Sequence, residues 1–120
     1  MMTNGKNALR ENTYACALEI VELSKELIEQ KEEYVLSKQT LHSGTSFGAL
    51  IGESVYVQSK AYIISKLSIA LKESSETDCW LSLLKDSGCI GESEFSDLSK
   101  PCMEIIKICI ASINTSKGNN

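Results

Sequence analysis

The sequence predicts an all-α protein, an antiparallel up-down four-helix bundle, and three observations carry that reading. One proline and seven glycines in 120 residues leave room for long uninterrupted elements. Leu, Ile, Glu, Lys and Ser are abundant, which suits helices better than strands. Apolar residues recur at helical spacing in four separate segments, joined by short polar connections.

The pattern divides the chain into a flexible N-terminal arm over residues 1–11, a bundle domain over 12–114 and a flexible tail over 115–120. In the first helix, from about Asn12 to Gln30, Cys16, Ile20, Leu23 and Leu27 form one stripe, and Ala17, Val21 and Ile28 widen it. Tyr14 and Leu18 carry apolar character further round than a helix buried on one side requires. Gln30–Glu33 reads as a turn, and a second helix runs from near Glu33 to about Val57. Its glycines Gly44, Gly48 and Gly52 recur every four residues and share a face. Interior glycines cost about 1 kcal/mol each relative to alanine, so close helix–helix approach is the expected compensation.

The third helix, roughly Ser59 to Asp86, carries Ile63, Leu67, Ala70, Ser74, Thr77, Leu81 and Leu84 on a heptad-like stripe. Gly88 suits the position just past its end, with Ile90 closing over it. The fourth begins near Ser93 and carries Phe95, Leu98, Cys102, Ile105, Ile106, Cys109 and Ile113. Pro101 leaves two options there: a helix capped by Ser99, or a continuous helix bent at the proline.

Composition narrows the function. Twelve basic residues against 16 acidic ones give a formal charge of -4, where a dedicated nucleic-acid binder normally carries a basic excess. The five cysteines form no C-x-x-C pair and read as reduced thiols in a cytoplasmic protein. No apolar run approaches the roughly twenty residues a membrane span needs.

Candidate chemistry is thin. Glu53, Glu73, Glu76 and Asp78 lie on the long helices, but the paired Glu-x-x-His motifs of bundle metal sites are missing and His42 is the lone histidine. Glu53, Glu76 and Thr77 read instead as a polar core bonded to hydroxyls or lysines. His42 with Ser43, Thr45 and Ser46 lacks an orienting group and an oxyanion hole, so neither catalytic residues nor a cofactor are expected. Lys31 with Lys38, and Lys100 with Lys107, are each seven apart and are expected to share a helical face that could touch nucleic acid. Tyr14, Leu18, Phe47, Tyr56 and Trp80 exceed the needs of a narrow core and are expected at a subunit interface, most simply a cyclic one.

Leu36-Ser37-Lys38-Gln39-Thr40-Leu41-His42-Ser43-Gly44-Thr45-Ser46-Phe47-Gly48-Ala49, Ser59-Lys60-Ala61-Tyr62-Ile63, Lys66-Leu67-Ser68-Ile69-Ala70-Leu71-Lys72-Glu73 and Glu76-Thr77 with Trp80-Leu81 carry a family resemblance. In order and spacing they resemble the bacterial four-helix-bundle proteins often encoded in intervening sequences of 23S ribosomal RNA genes. The likeness runs from about Ala15 to Ile113. It implies a non-enzymatic bundle assembled into a ring, usually five-fold. It also implies kinship in fold with accessory proteins of diversity-generating retroelements, which bind a reverse transcriptase and nucleic acid. The chain departs from the family at His42, where arginine is usual, and at Leu50, where asparagine is frequent.

Overall fold

The computed structural model describes residues 2–54 and 59–118, with side chains over 11–50 and 59–118. Four helices account for nearly all of them: α1 (Met2–Lys31), α2 (Val35–Ser54), α3 (Lys60–Asp86) and α4 (Glu92–Ser116). Among the described residues there is no strand. Helix α1 packs on α2, α2 on α3, α3 on α4, and α4 returns to α1, so each helix touches two others around a bundle 45 Å long.

Helix α1 begins at Met2, not near Asn12, so the segment expected as a loose arm is helical. Asn4, Gly5 and Asn7 are weak helix formers, but extending a nucleated helix needs only one new hydrogen bond per residue. Its other end turns sharply: Glu32 adopts a left-handed φ of 50° and the Glu33 amide donates to the Leu27 carbonyl. The Glu33 carboxylate then accepts from the amides of Leu36 at 3.2 Å and Ser37 at 2.7 Å, capping the start of α2.

Helix α2 runs without a break through Gly44 and Gly48, as the glycine spacing predicts, to Ser54; the expected end at Val57 lies outside the described residues. Ser59 caps α3 by accepting from the Tyr62 amide at 3.0 Å. At its far end Gly88, at φ 85°, donates to Lys85 while Cys89 donates to Leu84, and Ile90 folds back on the core. Pro101 sits inside a continuous α4. Ser99 is therefore no cap, and its hydroxyl donates to Asp78 Oδ1 at 2.7 Å, tying α4 to α3.

The core is two apolar clusters rather than one. Cys16, Ile20, Phe47, Leu67, Ala70, Ile105, Cys109 and Ile113 fill one end, and Leu23, Leu27, Leu81, Leu84, Ile90 and Leu98 fill the other. A band of buried polar side chains separates them along the sequence of α2, α3 and α4. Thr40 and Ser43 precede Phe47 on α2, Ser74 and Thr77 lie between Ala70 and Leu81 on α3, and Cys102 lies between Leu98 and Ile105 on α4.

Candidate interaction surface

Helix α2 meets its neighbours through small and hydroxyl side chains. A Cβ at Gly44 would stand 2.7 Å from Ile20 Cδ1, so the glycine is what lets α1 approach. At Gly48 the nearest atoms, Ala17 Cβ and the Thr13 carbonyl oxygen, lie at 3.7 Å, an ordinary contact. Gly44 thus carries the close approach, Gly48 only adjoins it, and the side-chain surroundings of Gly52 lie outside the described residues.

Farther along this seam Ser24 and Ser37 bring their hydroxyls to 2.7 Å, both buried. On the other side the Thr77 hydroxyl lies 2.9 Å from Ser43 Oγ and 2.9 Å from the Glu73 carbonyl oxygen. Thr77 is the member of the expected polar core that the structure places there. Glu76 is half-buried, the Glu53 side chain lies outside the described residues, and Thr45 donates to the Leu41 carbonyl instead of meeting a carboxylate. One polar atom is stranded: Glu73 Oε1 is buried and accepts no hydrogen bond among the described residues.

Three of the five thiols, Cys16, Cys102 and Cys109, belong to the core. Burial pushes Cys102 up to about 12, helped by Cys16 and Asp78, although the Asp78 backbone works the other way. Burial likewise raises Cys16 to about 11, with Glu19 adding to it, and Cys109 to about 11. Cys102 Sγ donates to the Ser74 carbonyl at 3.1 Å. Such thiols are poor nucleophiles near neutrality. No group of three or more His, Cys, Asp or Glu that could hold a metal ion is present among the described residues.

Outside the core the chain exposes apolar rows. Tyr14 is 71% exposed and Leu18 51%, with Val21 half-buried and Ile28 exposed along the same face of α1. Ala17 and Ser24 face α2, and Tyr14, Val21 and Ile28 lie one turn from one or other of them, so this row runs along the α2 flank. Helix α3 carries a second row. Thr77 faces α2 through Ser43, and stepping outward by three or four residues from Thr77 gives Glu73 and Trp80, then Ile69, Glu76 and Leu83. Ile69 and Leu83 are each 43% exposed.

Of the residues expected at an interface, Tyr14 and Leu18 are open and Trp80 is half-buried, but Phe47 is not available. It is 0% exposed, part of the core cluster that holds Ile20 and Leu67. Tyr56 lies outside the described residues. Ile28, Ile69 and Leu83 were hidden among general apolar positions in the sequence, and their signal is the continuation of a heptad beside the buried one.

The lysine pairs divide. Lys31 ends α1 while Lys38 lies within α2, so the intervening turn removes their common face. Lys31 instead partly offsets the effects that raise the Glu94 carboxyl, which are burial first and then Glu26. Lys100 and Lys107 do share α4, lining a shallow depression together with Glu92 and Glu104.

Residues 6–111 match the family described as 23S rRNA-intervening sequence protein. The chain belongs to that family. Among the solved structures similar to this intervening-sequence protein is one from Bacteroides thetaiotaomicron VPI-5482, described as a protein with unknown function from the S23 ribosomal protein family. It is 40% identical, with a TM-score of 0.88 over 91% of this chain and 97% of that one. No curated protein matches this family member. Nor is any of its described helices long and apolar enough to cross a membrane.

Proposed function

We propose that this chain is the subunit of a non-enzymatic, cytoplasmic homo-oligomer, a scaffold or adaptor whose building block is an antiparallel up-down bundle. Paired positions support the antiparallel course. Ala17 with Gly48, Ile20 with Gly44 and Ser24 with Ser37 rise along α1 as they fall along α2. Ser74 with Cys102 and Asp78 with Ser99 support the same alternation between α3 and α4. The observation that carries self-assembly is the pair of exposed apolar rows beyond a core already complete without them. Family resemblance favours a five-fold ring.

The other reading is an accessory protein that binds RNA or DNA and a reverse transcriptase. It draws on Lys100 and Lys107, but Glu92 and Glu104 line the same depression and the chain is net acidic. Light scattering tests the scaffold: the mass should be several times that of the 13.2 kDa chain, and a monomer at micromolar concentration would remove the proposal. Titration with labelled RNA at low and moderate salt separates the two roles. Binding that weakens steeply with salt would favour the accessory role.

A further inference from the structure

We infer that copies of the chain join head to tail, the α1 row of one copy against the α3 row of the next, with α2 of every copy turned toward a common axis. This rests on the self-assembly reading and specifies its interface.

The two rows differ in what they carry. On α1, Tyr14, Leu18, Val21 and Ile28 run with Lys25 between them, and Lys38 of α2 borders the same flank at the level of the Ser24–Ser37 pair. Lys25 meets Glu22 at 3.9 Å, with both side chains about two-thirds exposed, a pairing worth little in water. On α3, Ile69, Trp80 and Leu83 run with Glu73 and Glu76 between them. Glu73 Oε1 is buried without a donor among the described residues. One row is therefore apolar with ammonium groups and the other apolar with carboxylates. Pairing a row with itself would oppose like charges, while pairing it with the other sets the ammonium groups against the carboxylates.

The placement of the rows sets the symmetry. They lie on the two flanks of α2, on adjacent faces of a four-helix bundle, which meet at about a right angle. Different surfaces in contact make a heterologous interface, and wedges of about a right angle close with about four copies, or five if the wedge is somewhat narrower. The narrow edge of each wedge is α2, whose Gly44 draws α1 inward and whose exposed Lys38, Gln39 and His42 would line the axis.

Leu18→Glu and Ile69→Glu test the pairing, because each spoils one row at an exposed position that the fold does not need. Each variant alone should be a monomer by light scattering, with the wild-type circular dichroism spectrum. An equimolar mixture should form a dimer and nothing larger, since one intact row of each kind remains. Dimers of either variant alone would mean that rows pair with themselves, and overturn the proposal. Retention of the wild-type mass by either variant would also overturn it. Tyr14→Lys provides a second α1 variant should Leu18→Glu unfold. A monomeric wild type would instead reject the self-assembly reading on which this pairing rests.

Discussion

Ile20 occupies the space that a side chain at Gly44 would need, its Cδ1 2.7 Å and its Cγ2 2.9 Å from the position of a Cβ. Both residues are buried on facing helices, and the branch carbon Cγ2, which cannot move without turning the whole side chain, is nearly as crowded as the mobile Cδ1. Gly44→Ala should therefore destabilise the fold by about 1–3 kcal/mol despite alanine's better helix propensity. Gly48→Ala, whose Cβ would meet nothing closer than 3.7 Å, should stabilise it by about 0.5–1 kcal/mol. Thermal melts of the two variants, moving in opposite directions, check the assignment. A lower melting temperature for both would mean that the helices are as tight at Gly48.

The turn before α2 offers a second pair with opposite signs. Glu33 caps two amides, so Glu33→Ala should cost about 1 kcal/mol. Its neighbour Glu32 holds a left-handed φ of 50°, and Glu32→Gly should gain about 1 kcal/mol by relieving it. Chemical denaturation should shift the midpoint down for the first and up for the second.

In the polar band, Thr77→Val leaves the buried Ser43 hydroxyl with only the Thr40 carbonyl, at 3.4 Å. The expected loss is about 1–2 kcal/mol, the cost of a poorly satisfied buried group. Adding Ser43→Ala should recover part of it, because the orphaned group is then gone. A double-mutant cycle measures the coupling, and strictly additive losses would refute the pairing.

The buried thiols predict alkaline sensitivity. In the unfolded chain a thiol titrates near 9.0, whereas Cys16, Cys102 and Cys109 hold their protons to about 11 or 12 when folded. Above pH 9 the unfolded state therefore binds fewer protons, and stability falls as pH rises until the folded thiols titrate. Each thiol contributes a slope of about 1.4 kcal/mol per pH unit. Urea midpoints should drop between pH 8 and 10, and Cys109→Ala should flatten the drop. At neutral pH iodoacetamide should label the exposed Cys79 while these three stay protected.

How much was legible before folding depended on whether a feature is local. The buried stripe of α3 from Leu67 to Leu84 follows from spacing alone, because a helix fixes which residues share a face. The α3 stop at Gly88 was equally plain, since a left-handed residue beyond a helix end favours glycine. Phe47 was misjudged because spacing cannot tell a wide core from an interface. Lys31 and Lys38 were joined across a turn that resets the phase between helices. The polar band was largely hidden, since Ser37 and Ser43 look solvent-facing until a hydroxyl on another helix is brought to them. The exposed rows on α1 and α3 are half visible: Tyr14, Leu18 and Trp80 stand out in the sequence, while Ile69 and Leu83 are marked only by the exposure the fold gives them.

The hydroxyl pairs that hold α2 also act as a key. Apolar side chains tolerate a small slide along a neighbour, because dispersion has no preferred direction. Ser24–Ser37 and Ser43–Thr77 do not, since a shift of one turn would strand buried oxygens on both sides of the helix at once. Helix α2 is thus locked to one height and one rotation between its neighbours. Every copy of the chain must then present its outer surface in the same alignment, as a repeating lattice of subunits would require.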